Sequence, residues 1–224
     1  MNEARFTDGD ILACLRDGER LEGRGYQGSI YTGCVGDQKI LVKSATGTGI
    51  RMWLNRWMLR REHDIYRRLA GISGIPRCYG LFLSRHLALE YLDARTIRQA
   101  SISDRDSFFV EMLAIIESIH ARGVAHGDLK RKDNILVTRD SRPYLVDFGV
   151  SVFRKPGFHP LNRFRHGFSH QHDYNAWLKH KYNRNYDDMS PEDARYFRSL
   201  WIERASRRIK RAWNKIAHRK KNPR

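Results

Sequence analysis

The stretch His126-Gly127-Asp128-Leu129-Lys130-Arg131-Lys132-Asp133-Asn134-Ile135-Leu136-Val137 carries the most informative pattern of the chain. The carboxylate of Asp128 and the cation of Lys130 can serve a transferring phosphoryl group, one as proton acceptor and the other as charge stabiliser. The carboxamide of Asn134 is a hard oxygen ligand of the kind that magnesium requires. The stretch therefore predicts a phosphotransfer loop with Asp128 and Lys130 as catalytic residues.

A second carboxylate follows at a spacing that fits the same chemistry. Asp147-Phe148-Gly149 comes 19 residues after Asp128, behind the apolar strand at 144–146. Alone the tripeptide is uninformative, but in this position Asp147 is expected to bridge phosphates through Mg²⁺. Asn134 and Asp147 are thus the predicted metal ligands.

Glycines near the N-terminus predict a phosphate-binding turn. Gly23, Gly25 and Gly28 lie between two predicted strands, where backbone N–H groups can approach a triphosphate closely. A strand-to-helix junction would instead indicate a dinucleotide fold.

Lys43 closes the apolar strand at 40–42, and Glu62 lies on the next predicted helix. The lysine can reach the α- and β-phosphates while the glutamate holds its ammonium. A surface lysine and a solvated glutamate, or a local pair of Glu62 with Arg60 or Arg61, are the alternatives.

The order of predicted elements indicates a two-lobed α+β protein. Strands are expected within 20–44 and at 81–89, with a helix at 50–70 between them. A second helix at 106–120 and short strands at 135–137 and 144–146 follow. The helix at 50–70 carries a broad apolar stripe and a strongly basic opposite face. The stripe consists of Ile50, Trp53, Leu54, Trp57, Met58, Ile65 and Leu69.

The composition indicates an anionic partner. The net charge is +17, the isoelectric point about 10.2 and the hydrophobic fraction 41%, so the chain should fold and attract nucleic acid, an acidic membrane face or a phosphorylated substrate. The odd number of scattered cysteines, 3 in all, suits a reducing cytosol. The polar, acidic start is no secretory signal, and no apolar run of 18 residues is present.

The C-terminal region is strongly basic. A long helix is predicted from Ser190, with serine as cap and Pro191 in its first turn. Residues 192–221 could contact an anionic membrane in the manner of a basic amphipathic helix, or pack on the protein with a solvated basic face; nucleic-acid binding is the less favoured third choice. His166, His170 and His172 either line a site for an anionic acceptor or are simple loop histidines.

Together these motifs resemble the protein-kinase signature set over residues 20–150. The resemblance implies ATP with Mg²⁺ or Mn²⁺ as cofactors, and it implies that the backbone around Glu90 and Leu92 reads adenine at a hinge. It further implies an N-lobe at 1–91, with a five-stranded antiparallel sheet and one helix, and a minimal, mostly helical C-lobe at 92–224 with the catalytic loop at 126–137.

Departures from that set point away from the classical protein kinases. Gly127 stands where most eukaryotic members carry arginine, and Asp133 holds the usual asparagine spacing, one residue before Asn134. Asn134 is the preferred ligand, through a one-residue bulge, with Asp133 as the alternative. The His-Gly-Asp-Leu form is similar to that of RIO-type kinases and bacterial lipopolysaccharide core kinases.

Three functions remain open at this point. The preferred hypothesis is phosphorylation of a lipopolysaccharide core sugar (Kdo or heptose) by a cytoplasmic enzyme on the inner membrane face, with a glycolipid as anionic acceptor. The alternative is a RIO-like serine/threonine protein kinase associated with RNA or ribosomes. The third is a pseudokinase scaffold, disfavoured because Lys43, Glu62, Asp128 and Asp147 are all present.

Overall fold

The computed structural model describes residues 6–25 and 28–198. The helices are α1 (Asp8–Asp17), α2 (Gly49–Arg68), α3 (Arg105–Ala121), α4 (Pro160–Lys181) and α5 (Pro191–Ala194). The strands are β1 (Glu19–Gly25), β2 (Gly28–Val35), β3 (Gln38–Ala45), β4 (Cys78–Phe82), β5 (His86–Glu90), β6 (Ala94–Thr96), β7 (Val124–Ala125), β8 (Ile135–Thr138), β9 (Pro143–Leu145) and β10 (Val152–Phe153). Within these ranges, no helix is long and apolar enough to cross a membrane.

The N-terminal part is an antiparallel sheet of five strands in the order β1-β2-β3-β5-β4. Side chains alternate along β3, since successive residues of a strand point to opposite faces. Ile40 and Val42 pack with Ile11 and Cys14 of α1, whereas Ala45 joins the main core beside α2. Lys43 has the same parity as Ala45 and therefore lies on the face toward α2.

The C-terminal part is built on α3 and α4, which pack against each other. Asp104 caps α3 by accepting a hydrogen bond from the N–H of Ser107 at 3.0 Å, which satisfies one of the free donors of the first turn. Phe109, Met112 and Trp177 lie in a core that continues into the sheet part through Leu89. The two parts therefore share one apolar core, and the cleft opens between them.

Three features of the helices differ from the sequence expectation. The predicted helix from Ser190 starts with the predicted serine cap, which accepts from the N–H of Asp193, but ends at Ala194. Residues 199–224, most of the predicted basic helix, lie outside the described residues. The apolar stripe of α2 is only partly buried: Ile65 and Leu69 are in the core, while Ile50 and Trp53 are exposed. Helical α1 was not predicted at all.

Candidate active site

The cleft between the two parts has a volume of about 440 Å³. Its wall contains residues predicted to contact the nucleotide or the metal, which come from β3, the hinge, the catalytic loop and the loop after β9. These lining residues include Lys43, Glu90, Leu92, Asn134 and Asp147. Apolar side chains from both parts, Ile30, Leu41, Leu89, Leu136 and Val146, complete the wall. A cleft lined by apolar side chains and by a few charged and polar groups suits a nucleotide, which has an apolar base and charged phosphates.

Lys43 joins the two carboxylates predicted to work with it. Its Nζ lies 2.6 Å from Oε1 of Glu62 and 3.2 Å from Oδ1 of Asp147. Burial opposes the charged ammonium, but Glu62 and Asp147 outweigh it and raise the pKa of Lys43. The pKa of Asp147 is lowered: burial opposes this, and the Lys43 ammonium outweighs the burial. The alternative pairing of Glu62 with a neighbouring arginine does not occur, since Glu62 is fully buried against Lys43.

The described glycines of the glycine-rich segment lie at the end of β1 and the start of β2. Gly25 pairs with Gly28 at the end of the ladder, and Gly23 lies within β1. At the hinge, the N–H of Glu90 donates to the carbonyl of Arg77 at 2.8 Å, while its carboxylate accepts from the Arg77 N–H. Glu90 is thereby tied to the strand end, so its N–H is not free to read a base.

Asp128 and Asn134 are connected directly. The Nδ2 of Asn134 donates to the carbonyl of Asp128 at 3.0 Å and to its Oδ2 at 3.2 Å. The extra residue of the loop is taken up by a 3₁₀ turn at Lys132–Asn134. Asp133 is half exposed, with its carboxylate 3.7 Å from Arg98. The structure therefore places Asn134 beside the catalytic aspartate, and the choice between the two as ligand stays a prediction.

The motifs did not single out a neighbouring cation, Arg131. The Nη1 of Arg131 lies 3.8 Å from Oδ2 of Asp128, and Arg131 lines the cleft. Lys130 is half buried, and its carbonyl accepts from Nζ of Lys179 at 3.1 Å. Of the two, Arg131 has its cation next to Asp128, and the run of three basic residues at 130–132 gave no signal that would separate their roles.

Helix α4 anchors the catalytic loop through Asp173, a buried aspartate that belongs to none of the predicted motifs. Asp173 accepts from the N–H of His126 at 2.7 Å and from the N–H of Gly127 at 2.8 Å. Its Oδ2 also lies 3.0 Å from Nε2 of His120. Hydrogen bonds to a carboxylate are stronger than neutral ones, so Asp173 fixes the backbone immediately before Asp128.

A second anchor lies two turns along the same helix. Nε2 of His180 lies 2.9 Å from the carbonyl of Leu129, and the pair is buried. Burial lowers the pKa of His180 to about 4, and the nearby cation of Lys179 adds to this shift. His180 is thus neutral at physiological pH and donates its Nε2 proton to the loop.

The backbone conformation explains why position 127 is a glycine, which the sequence alone did not show. Its φ is +79°, in the left-handed region, and a Cβ there would lie 3.3 Å from Oγ of Ser169. A side chain at this position would be strained and crowded against α4. Glycine lets the loop approach the helix closely enough for Asp173 to hold it.

A chain of aromatic contacts connects the loop to α2. The ring of His126 lies 4.7 Å from that of Phe148 in a tilted arrangement, and Phe148 lies 5.2 Å from Tyr66 edge to face. Nε2 of His126 contacts the carbonyl of Val146 at 3.0 Å. These contacts hold the residues on both sides of Asp147, which lies next to Lys43.

The three histidines are on α4, not in a loop. His166 is buried, and the ring of His170 stacks on His120 at 3.7 Å. Burial lowers the pKa of His170 to about 4, aided by His120 and His166. Both histidines pack between α3 and α4, so the expectation that they line an acceptor site is wrong for these two.

Comparison with known proteins identifies the family. The model of the protein kinase domain matches residues 17–176. This chain belongs to the protein kinase family. The expected kinase fold, phosphotransferase activity and use of ATP with Mg²⁺ are thereby confirmed.

Relatives of this protein kinase include plant enzymes. Calcium-dependent protein kinase 4 of Solanum tuberosum is 32% identical over 175 residues, covering 70% of this chain and 31% of the relative. Calcium-dependent protein kinase 1 of Oryza sativa subsp. japonica is 34% identical over 113 residues, covering 45% of this chain and 22% of the relative. The chain thus spans less than a third of the length of these relatives.

The donor set of this kinase suits Mg²⁺. Asp147 supplies a carboxylate held ionised by Lys43. The amide nitrogen of Asn134 is used by Asp128, which leaves its amide oxygen as an acceptor for a cation. These are hard oxygen ligands. Magnesium bound there would neutralise phosphate charge.

We propose that the chain's own side chains do the remaining chemistry. Lys43, kept charged by Glu62, would orient the α- and β-phosphates. Asp128, held by Asn134 and by the anchored loop, would orient the acceptor hydroxyl and accept its proton. Arg131 and Lys130 would supply positive charge near the migrating phosphoryl group. Most of the rate enhancement would then come from positioning and electrostatics.

Proposed function

We propose that this kinase transfers the γ-phosphate of Mg²⁺-ATP to a serine or threonine hydroxyl of an acidic protein substrate. The assembled set of Lys43, Glu62, Asp147, Asn134 and Asp128 supports transfer to a hydroxyl. The names of the similar plant proteins, which are calcium-dependent protein kinases, also support a protein substrate.

The charge around the catalytic loop supports an anionic acceptor. Lys179 lies close enough to Lys130, Lys132 and Arg184 for these cations to lower its pKa, after the larger effect of its own burial. Such a cluster attracts acidic side chains or a phosphate next to the acceptor hydroxyl. We place the reaction in the cytoplasm, which suits the free cysteines Cys14, Cys34 and Cys78.

One observation favours a second candidate, the lipopolysaccharide core sugar. Only residues 150–159 connect the Asp147 turn to α4, which leaves little chain to position an extended peptide. A sugar hydroxyl needs no such support, and a glycolipid phosphate would also suit the basic cluster.

A competition between acceptors tests the proposal. Purified full-length chain with radiolabelled Mg²⁺-ATP would be offered casein, the basic protein histone H1 and core oligosaccharide, with Lys43→Ala as the inactive control. The proposal expects label on casein serine or threonine, little on histone and none on sugar. Label on oligosaccharide alone would establish the second candidate instead.

A further inference from the structure

A group of large apolar side chains is exposed on α2 and around the start of α4. We call it the aromatic surface: Ile50, Trp53 and Trp57 of α2, with Phe158, Leu161 and Phe164 before and within the start of α4. Phe158 is 84% exposed, Leu161 71% and Trp53 65%. Single exposed apolar residues are ordinary, but a contiguous group indicates an interaction site.

The two halves of the aromatic surface adjoin each other. Trp57, Phe158 and Leu161 line one groove of about 670 Å³. Nη2 of Arg61 donates to the carbonyl of Ser151 at 3.1 Å, and this contact ties α2 to the segment behind the Asp147 turn. The groove therefore joins the outer face of α2 at Trp57 to the start of α4 at Leu161.

Cations accompany these apolar side chains on both contributing segments. Arg61 and Arg68 of α2 line the same groove as Lys155 and Arg165, and Arg60, Arg154 and Arg163 adjoin them along the chain. The guanidinium of Arg61 lies 5.0 Å from the ring of Trp57. Asp64 is the exposed acid of α2, beside His63, and residues 154–165 contain no acidic residue.

We infer that the aromatic surface binds the anionic face of a lipid bilayer. Tryptophan and phenylalanine side chains insert at the headgroup boundary, and arginines around them pair with lipid phosphates. A second copy of the chain would bring the same cations against each other, and each copy carries a net charge of +17. The charge complementarity therefore selects an anionic lipid surface over self-association.

Binding to vesicles tests the inference directly. The full-length chain would be sedimented with phosphatidylcholine vesicles, with or without about 30% phosphatidylglycerol. We expect binding only with the anionic lipid, weakened about tenfold or more by Trp53→Ala with Trp57→Ala, and similarly by Arg163→Glu with Arg165→Glu. Phosphotransfer in solution should stay unchanged in all variants, which shows that they are folded.

Matched controls replace comparable side chains elsewhere. Val110 is 63% exposed on α3, and Arg139 forms an exposed ion pair with Asp93. Val110→Ser and Arg139→Glu should bind vesicles as the wild type does. Equal vesicle binding by the tryptophan variant and the wild type would overturn the inference. Absence of vesicle binding by the wild type would overturn it as well, and self-association or capture of an acidic protein through the same residues would then identify the occupant.

Fluorescence separates this surface from the C-terminal residues. Trp201→Phe with Trp213→Phe leaves Trp53, Trp57 and the buried Trp177. Anionic vesicles should still shift the emission of this variant to shorter wavelength, since Trp53 and Trp57 enter the bilayer interface. Vesicle binding without any shift would place the contact at the tail and contradict the inference.

Discussion

The catalytic loop at 126–134 and the segment at 150–165, which comprises the connection and the first residues of α4, lie on either side of Asp147 in the chain and differ in how they are held. Four positions flanking Asp128, at 126, 127, 129 and 130, are bonded to α4 through Asp173, His180 and Lys179. The segment at 150–165 instead exposes Phe158, Leu161 and Phe164 to solvent. Chemistry needs a rigid, buried loop, whereas recognition needs an accessible surface, and this kinase keeps the two adjacent but separate.

The largest effect is expected at the metal end of the rigid region. Asp147→Asn removes the ionised ligand and should lower the phosphotransfer rate by about 10³ at saturating ATP. The measurement is the rate as Mg²⁺ or Mn²⁺ is titrated. Asp133→Asn is the matched control and should keep the rate within about threefold, because Asp133 faces Arg98. A comparable loss in the control would make Asp133 the ligand.

Next in size is the loss of the loop anchor. Asp173→Asn replaces a carboxylate that accepts two backbone N–H groups. It should cost about 2–4 kcal/mol of unfolding free energy and lower kcat at least about tenfold, with the KM for ATP nearly unchanged. Urea unfolding and steady-state kinetics measure the two effects.

Asp193 offers a control for simple destabilisation. It is buried and accepts from Lys181 and Tyr182, away from the catalytic loop. Asp193→Asn should lower stability while keeping the kcat of the folded protein. If both variants lose kcat equally, Asp173 has no special positioning role.

A smaller effect is expected from pH. The pKa of His180 is about 4 in the folded protein against an ordinary value of 6.5. The imidazole of His180 binds a proton more tightly in the unfolded chain than in the folded protein. The free energy of unfolding therefore keeps its full value above about pH 6.5 and falls as the pH drops toward 4, by roughly 1 kcal/mol per pH unit. Urea midpoints at several pH values measure the slope.

His180→Gln removes the titration but keeps a donor for the Leu129 carbonyl, so its stability should depend less on pH than that of the wild type. His159→Gln, at an exposed position, should keep the wild-type slope. Identical slopes for all three proteins would show that His180 does not titrate on unfolding.

The smallest effect is expected in the exposed connection. Phe158→Ser should change the free energy of unfolding by no more than about 0.5 kcal/mol, because the side chain is largely in solvent. Thermal unfolding checks this value. A loss of several kcal/mol would mean that Phe158 packs in solution and that the contrast between the two regions is wrong.

The sequence predicted the placement of site residues best where they lie close together along the chain, while their catalytic and metal-binding roles stay predictions. Asp128, Asn134 and Asp147 lie in short motifs whose spacing is fixed by one loop and one strand pair. The Lys43–Glu62 contact was expected because a strand and the next helix bring the two together.

Other features depend on contacts that no local pattern encodes. Asp173 reaches His126 across 47 positions from the middle of a helix, and nothing in its neighbours signals that contact. The apolar periodicity of α2 correctly predicts a helix, but it does not show which face is buried: there the inner face carries Asn55, Glu62 and Tyr66, and Trp53 points outward.

The most direct test compares Asp128→Asn with the wild type in single-turnover phosphotransfer and in Mg²⁺-ATP binding. Asp128 contacts Asn134 and Arg131, but in this scheme it serves the acceptor hydroxyl and not the nucleotide. The variant should bind Mg²⁺-ATP within about threefold of the wild type and transfer phosphate about 10²–10⁴ more slowly. Transfer at the wild-type rate would contradict the assignment of Asp128 as the catalytic base of this kinase.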